Sequence, residues 1–201
     1  METLRLVVGL GNPGREYAHT RHNAGFMLVD RLADMAKVGW RMDAILRARV
    51  AEARWGGKRC WLAQPMTFMN ASGEAVGGLV RYYRLEPEQV LVAVDDADLP
   101  LGELRLRPQG GSGGHHGLES IAQHLGTKNY PRLRLGIGRR AEDGRQITGH
   151  VLGRFAPLET EFVGALMDRA ADAVRCWAEV GIAIAMNRYN GTMTVPGTKD
   201  S

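Results

Sequence analysis

Cysteine is scarce in this chain, which contains only Cys60 and Cys176 among 201 residues. Two thiols are too few for a disulfide framework or a four-thiolate zinc site, so we predict free thiols that fill apolar space. The chain also lacks an apolar run long enough to span a bilayer, which argues against a membrane protein. Its start lacks a basic segment and a small-residue cleavage site, so we expect a cytoplasmic protein.

Acidic residues are few in one part of the chain. Residues 101–154 carry nine Lys or Arg against four Asp or Glu, a net charge of +5, while the whole chain carries +4. A basic segment on an otherwise balanced protein indicates a polyanionic partner such as a nucleic acid. A solvated charged surface is the alternative, and the excess of Arg over Lys can also reflect genome base composition.

Short apolar runs alternate with segments of helical spacing, which predicts one α/β domain. Hairpin-like spacing in the middle of the chain favours a mixed sheet, and no linker divides the sequence. We predict that the domain covers residues 1–191 and that residues 192–201 form a flexible tail. The predicted strands are 4–10, 45–55, 59–64, 89–94, 104–106, 133–137 and 147–152, and the predicted helices are 26–35, 71–83, 158–180 and one that begins near residue 116.

The run Gly9-Leu10-Gly11-Asn12-Pro13-Gly14 matches the G-x-G-x-x-G pattern of dinucleotide-binding loops. Such a loop leads directly into a helix, whereas helical spacing here resumes only after Asn23. Asp30 falls inside that helix and therefore cannot end a second strand as the ribose-binding acid does. We interpret the glycines as permitting a tight turn that carries the side chain of Asn12 into a cleft.

Five sequence blocks follow one another along the chain. They are 9–17 followed by 20–25 (GLGNPGREY and TRHNAG), 65–73 (PMTFMNASG), 95–100 (DDADLP), 113–115 (GGH) and 132–138 (RLRLGIG). In this order they resemble the blocks of the bacterial peptidyl-tRNA hydrolases. The resemblance covers nearly the whole chain. It implies a monomeric, single-domain α/β/α sandwich around a mixed, mostly parallel twisted sheet. It also implies an enzyme that hydrolyses the ester between a peptide and the 3′-terminal ribose of tRNA, so that the tRNA can be reused.

Ester hydrolysis needs a base for water and donors for the developing oxyanion, but neither a metal nor a cofactor. By resemblance, His22 is the base and Asp95 is the carboxylate that fixes its tautomer. Residue type alone does not distinguish His22 from the other five histidines, and Asp95 alone could be a cap. By resemblance, Asn12 reads the acylated amino group that separates peptidyl-tRNA from aminoacyl-tRNA.

The resemblance also implies a substrate groove and a basic surface. Asn70 could hold the peptide or cap the following helix. Arg107 and Arg134 match positions that contact tRNA phosphates, and the glycine-rich run 110–114 could aim backbone N–H groups at an anion. Without the resemblance, the apolar members would be ordinary core residues. The expected substrate-binding residues are Tyr17, Phe68, Met69, Asn70, His115 and His116.

One position departs from the family pattern, since Gly-His-Asn-Gly becomes Gly114-His115-His116-Gly117. His116 therefore occupies the position of a substrate-contacting asparagine. Imidazole reproduces the hydrogen bonds of an amide only in part. We expect hydrolysis to persist because His22 and Asp95 are present. If His116 lies close to His22, the two titrations are expected to couple.

Three other functions remain open from the sequence. A catalytically silent RNA-binding relative would keep the fold and the basic surface but could lose the histidine–aspartate pair, and both residues are present here. A serine or cysteine hydrolase would need an activated nucleophile, and no serine or cysteine lies in a nucleophile elbow. A metal site of His115, His116 and His124 is disfavoured because adjacent side chains on a helix point apart.

Overall fold

The computed structural model describes residues 4–138 and 147–193, and it shows one sheet between two helical layers. The strands are β1 (Arg5–Gly9), β2 (Arg41–Asp43), β3 (Ala48–Trp55), β4 (Lys58–Pro65), β5 (Val90–Asp96), β6 (Glu103–Arg107), β7 (Arg132–Gly136) and β8 (Gly191–Thr192). The helices are α1 (Ala24–Ala36), α2 (Ser72–Tyr83), α3 (His116–Leu125), α4 (Ile147–Val151), α5 (Thr160–Val180) and α6 (Ile182–Tyr189).

The strands lie in the order β2-β3-β4-β1-β5-β7-β6-β8. The pairs β4–β1, β1–β5 and β5–β7 are parallel, and the outer pairs are antiparallel. The predicted mixed sheet is confirmed, with parallel pairing confined to the four central strands. Gly56 and Gly57, both at positive φ, join β3 to β4 as a tight hairpin because glycine tolerates that conformation.

The two faces of the sheet bury separate apolar cores, and β1 shows the alternation directly. Val7 packs on the side of α1, α5 and α6, whereas Leu6 and Val8 pack on the side of α2 and α3. Successive side chains of a strand point to opposite faces, so a continuous apolar run is expected where both faces are covered. The predicted α/β/α sandwich is confirmed.

Two predictions about local structure need correction. Residues 147–152 were predicted as a strand, but Ile147–Val151 form α4, since a short apolar run does not by itself distinguish strand from helix. Thr192, predicted to begin a tail, pairs with Glu103 in β8. Residues 194–201 lie outside the described part of the chain. Cys60 and Cys176 are buried free thiols, as predicted.

Glycines allow α1 to begin in direct contact with the ends of β1 and β5. A Cβ atom on Gly25 would lie 2.4 Å from the carbonyl oxygen of Ala93 and from the nitrogen of Leu10. A Cβ on Gly9 would lie 2.1 Å from the carbonyl oxygen of Gly25. The residues just before α1 are thereby held at the carboxyl ends of these strands, where α/β folds form their sites. The helix begins at Ala24, after Asn23, as predicted.

No helix among the described residues is long and apolar enough to cross a bilayer.

Candidate active site

A cleft of about 340 Å³ opens at the carboxyl ends of β1 and β5. This volume is in the range of small-molecule sites, and a cleft beyond the strand ends is where α/β sheets bind ligands. The loop after β1, the turn before α1, the end of β5 and the loop before α3 all contribute to its lining. The polar residues that line it are Asn12, His22, Asp95, Asp96, Asp98, Ser112, His115, His116 and Arg134.

His22 and Asp95 form a hydrogen-bonded pair in this cleft. Nδ1 of His22 lies 2.9 Å from Oδ1 and 3.0 Å from Oδ2 of Asp95. An ionised carboxylate only accepts hydrogen bonds, so Nδ1 carries the ring proton and donates a hydrogen bond to Asp95. In the neutral ring, Nε2 is then the unprotonated nitrogen and can accept a proton. The two residues predicted as base and orienting carboxylate are thus brought together.

A second imidazole contacts the same carboxylate. Nε2 of His115 donates to Oδ1 of Asp95 at 3.1 Å, and its Nδ1 accepts from the backbone N–H of Gly117 at 3.2 Å. The two contacts together define a neutral ring with its proton on Nε2. The ring centroids of His22 and His115 are 5.3 Å apart. His115 is therefore part of the cluster and also caps α3, which begins at His116 as the sequence predicts.

The Asp95 side chain is almost fully buried, with 3% of its surface exposed. Burial alone would raise the pKa of Asp95, but the hydrogen bonds from His115 and His22 outweigh it and hold the pKa below its usual range. Asp95 therefore stays ionised at neutral pH. It can stabilise positive charge on an imidazole next to it as a proton is taken up.

Arg21, the residue before His22, anchors the 3-10 turn Arg21–Asn23 that carries His22. Its guanidinium is 3% exposed, donates to the carbonyl oxygen of Ile137 at 3.1 Å and pairs with Glu159 at 2.7 Å. It also lies 4.7 Å from the ring centroid of Phe155. These contacts join distant parts of the chain, so sequence analysis did not reveal this role. The only local signal was the position of Arg21 in the motif around His22.

Asn12 is fixed by its neighbours in one orientation. The side chain of Asn23 accepts from the backbone N–H of Asn12 at 2.9 Å and donates to its carbonyl oxygen at 3.0 Å. The backbone N–H of Met69 donates to Oδ1 of Asn12 at 2.8 Å. With Oδ1 engaged, the Nδ2 amide group is the part of Asn12 available to donate in the cleft.

The structure distinguishes among the other predicted substrate-binding residues. Met69 is only 5% exposed and packs in the core, so its backbone, not its side chain, serves the site through Asn12. Phe68 is 62% exposed, Asn70 is exposed and Tyr17 is partly buried, but none of the three lines the described cleft. Asn70 does not cap α2, whose N-cap is Ala71 without a side-chain bond.

Arg132 anchors the glycine-rich loop 110–114, which forms one wall of the cleft. Its buried guanidinium donates to the carbonyl oxygens of Gly110, Gly111 and Lys128 at 2.6, 3.1 and 2.9 Å. One cation thus satisfies carbonyl groups from two loops. The sequence placed Arg132 in the basic segment and in the block 132–138, but predicted no role for its side chain. Within the loop, the N–H of Gly114 donates to Oγ of Ser112 and is already engaged.

The two arginines predicted to bind phosphate lie in different environments. Arg134 lines the cleft, where it pairs with Asp96 at 3.2 Å and donates to the carbonyl oxygen of Gly111 at 3.1 Å. Arg107 is exposed on β6 and donates to the carbonyl oxygen of Leu106 at 3.2 Å. Arg107 is therefore the more accessible cation. Residues 139–146, which carry three arginines of the basic segment, lie outside the described residues.

His116 lines the cleft but does not take part in the Asp95 cluster. Its side chain is 77% exposed, and Nδ1 lies 3.2 Å from Oε2 of Glu119. That carboxylate also accepts from Oγ of Ser112 at 3.2 Å. The second imidazole beside His22 is therefore that of His115, whose ring centroid lies 5.3 Å away, and not that of His116.

Comparisons with known proteins agree with this geometry. A family model described as peptidyl-tRNA hydrolase matches residues 6–197. A peptidyl-tRNA hydrolase of Synechococcus sp. (strain JA-2-3B'a(2-13)) is 49% identical over 193 residues, which cover 94% of this chain and 84% of the relative. One from Desulforudis audaxviator is 48% identical over 203 residues, covering 98% of this chain and all of the relative.

A solved structure gives the same result at the level of the fold. The crystal structure of peptidyl-tRNA hydrolase from Acinetobacter baumannii has a TM-score of 0.88 and 38% sequence identity, and the match covers 96% of this chain and 97% of that one. Sequence and fold thus agree over almost the entire length, which confirms the resemblance found in the five sequence blocks. This chain belongs to the peptidyl-tRNA hydrolase family.

Proposed function

We propose that this chain hydrolyses peptidyl-tRNA by direct attack of water, with His22 as the general base and Asp95 as the group that orients it. Hydrolysis of peptidyl-tRNA to free tRNA and peptide is the activity of its family. The observation that supports the mechanism most is the hydrogen bond from Nδ1 of His22 to Asp95, which leaves Nε2 as a proton acceptor in the cleft.

The reaction balances with these groups alone. Nε2 of His22 takes a proton from water as the water oxygen attacks the ester carbonyl carbon. The tetrahedral intermediate then collapses, the bond from carbon to the ribose oxygen breaks, and the imidazolium returns its proton to that leaving oxygen. Asp95 stabilises the imidazolium between these two steps. The products are a peptide with a free carboxyl group and a tRNA with a free terminal ribose.

Asn12 is the group we propose to select the substrate. Its Oδ1 is engaged by Met69, so its Nδ2 group can donate either to the last peptide carbonyl or to the oxyanion. A site that hydrogen-bonds the acyl amide discriminates against a free amine, because the amine lacks the matching carbonyl and leaves the buried donor unpaired. This accounts for the separation of peptidyl-tRNA from aminoacyl-tRNA.

We further propose that the acceptor stem and 3′ end of the tRNA approach over the glycine-rich loop. The cleft shares Ser112 and Leu118 with a second groove of about 620 Å³, which is also lined by Lys128. Exposed Arg107 and the groove residue Lys128 supply positive charge for a sugar-phosphate backbone without reading its bases. Sequence-independent contacts suit a monomeric enzyme that accepts many tRNAs.

A single pair of substrates tests the proposed function. Purified protein is incubated with an N-acetyl-aminoacyl-tRNA and with the same aminoacyl-tRNA bearing a free amine, both in the presence of a chelator. We expect rapid release of tRNA from the acylated substrate only. Binding without release would indicate a silent RNA-binding relative, and activity that the chelator abolishes would indicate a metalloenzyme. Either result contradicts the proposal.

A further inference from the structure

We propose that His22, Asp95 and His115 form a site for a divalent transition-metal ion of the Zn²⁺ type, and that an ion bound there inhibits the enzyme. Each residue offers one ligand atom, and the three atoms lie within 4.8 Å of one another. The nitrogens that face the carboxylate of Asp95 are Nδ1 of His22 and Nε2 of His115. The inhibition rests on the proposed role of His22 as base. The binding rests only on the cluster itself.

The donor set matches the coordination preferences of zinc. Two imidazoles and one carboxylate, with an open fourth position, form a common protein set for Zn²⁺. Bonds of about 2.0–2.1 Å in a tetrahedron separate the ligand atoms by about 3.4 Å. The two nitrogens now lie 2.9 and 3.1 Å from Oδ1 of Asp95, so the edges shared with the carboxylate need lengthen by only a few tenths of an ångström.

The cluster is also mostly buried but accessible from the cleft. The side chains of His22, His115 and Asp95 are 16%, 11% and 3% exposed, and all three line the cleft. Water in the cleft can therefore supply the fourth ligand. The carboxylate already carries the negative charge that offsets part of the charge of the ion, so binding needs no additional acidic group.

Binding of the ion changes the tautomer of both imidazole rings and releases no proton. The proton of His22 moves from Nδ1 to Nε2, that of His115 moves from Nε2 to Nδ1, and the freed lone pairs form the two metal–nitrogen bonds. His115 then no longer accepts from the N–H of Gly117, a contact of 3.2 Å, which is the cost of binding. On His22 the proton now occupies the atom that must accept one from water. The bound ion therefore blocks the general base directly.

Other imidazoles offer weaker sites among the described residues. His116 and Glu119 supply two ligand atoms on an exposed surface, and Nδ1 of His124 donates to the carbonyl oxygen of Ser120. The three-donor cluster should therefore bind first. Mg²⁺ prefers oxygen ligands in octahedral geometry and should not compete. The His116→Ala variant is thus a matched control, because it removes a neighbouring imidazole–carboxylate pair without touching the cluster.

Calorimetry and activity together test the proposal on metal-stripped full-length protein. We expect one Zn²⁺ per chain, inhibition over the same concentration range, reversal by a chelator and no inhibition by Mg²⁺. His115→Gln should weaken Zn²⁺ binding by more than the 10- to 100-fold that loss of an outer partner costs. His116→Ala should leave Zn²⁺ binding unchanged. Thermal melting checks that each variant is folded.

Four results would overturn the inference. The proposed site is contradicted if wild-type protein binds no Zn²⁺, or if the His115→Gln variant binds it as tightly as wild type. Stoichiometric binding without inhibition contradicts the proposed effect of the bound ion on His22. Activity that appears only on addition of Zn²⁺ overturns both the inhibition and the proposed metal-independent function. Full activity of the metal-free protein keeps the proposed function intact whichever of the first three results is found.

Discussion

At the scale of single residues, one oxygen of Asp95 serves two imidazoles. Oδ1 accepts from His22 at 2.9 Å and from His115 at 3.1 Å, and both donors lie in a mostly buried cluster. These bonds lower the pKa of Asp95 against the opposing effect of burial. The carboxylate is therefore a fixed negative charge that sets the tautomers of both rings.

We predict that Asp95→Asn lowers kcat by about 10²- to 10⁴-fold. The amide keeps one acceptor oxygen, but its NH2 group replaces the other carboxylate oxygen, which lies 3.0 Å from Nδ1 of His22 in the wild type. Two donors would then oppose each other, so the tautomer or the orientation of the His22 ring must change. The imidazolium that forms during the reaction also loses the negative charge that stabilises it. Steady-state kinetics at neutral pH measure the loss of kcat.

The matched control is Asp168→Asn, which alters an exposed carboxylate on α5 that pairs with Arg31. It should leave kcat unchanged. An Asp95→Asn enzyme with wild-type kcat would reduce Asp95 to a structural residue.

At the scale of residues, motifs rather than residue types predicted the members of the site. His22 and Asp95 were predicted from the sequence blocks that contain them, and their contact across the fold agrees with the predicted pair. The contact of His115 with Asp95 was not predicted, because His115 and His116 were both expected to bind substrate and no sequence pattern distinguishes the directions of their side chains. Arg21 and Arg132 act through contacts with distant segments, which no local pattern encodes.

At the scale of elements, the site depends on how closely α1 approaches β1 and β5. We predict that Gly25→Ala destabilises the protein by at least about 1–3 kcal/mol, the usual cost of overpacking. The new Cβ would lie 2.4–2.6 Å from backbone atoms of Ala93 and Leu10, which cannot move aside as a flexible side chain can. The turn that carries His22 should shift, so kcat should fall as well. Denaturant unfolding and steady-state kinetics measure the two effects.

Gly164→Ala provides the control on α5. No atom lies within 4 Å of its added Cβ, so the variant should be neutral or more stable by up to about 1 kcal/mol from helix propensity. Equal stability of the two variants would show that the approach of α1 to the strands is not tightly constrained.

Elements with strong periodicity were predicted well, and short ones were not. The β3–β4 hairpin, β5 and α5 agree with their predictions because alternation, a buried run and a long amphipathic face are distinctive. The five-residue helix α4 was mistaken for a strand, since so short an apolar segment satisfies either period. The β8 pairing of Gly191 and Thr192 with β6 is long-range and has no local signal.

At the scale of the whole molecule, the excess of positive charge predicts salt-sensitive binding of tRNA. We expect Arg107→Ala to raise KM with little effect on kcat, and to reduce the slope of log affinity against log salt by about one unit, since one phosphate contact is lost. Arg134→Ala should lower kcat too, because Arg134 also holds Asp96 and the glycine-rich loop. Binding titrations at several salt concentrations measure the slope.

Arg31→Ala removes an exposed cation from α1, outside the basic segment, and serves as the control. It should leave the slope unchanged. If Arg107→Ala behaves in the same way, the tRNA backbone does not contact β6 at this position.

The central claim is that His22 is the general base, and turnover by His22→Ala tests it most directly. The decisive measurement is kcat for hydrolysis of N-acetyl-aminoacyl-tRNA in chelator, together with the affinity of each protein for tRNA. We predict that kcat falls by about 10²- to 10⁴-fold, while tRNA affinity stays near that of wild type. A variant that keeps nearly wild-type kcat would contradict the mechanism, because water would then be activated by another group.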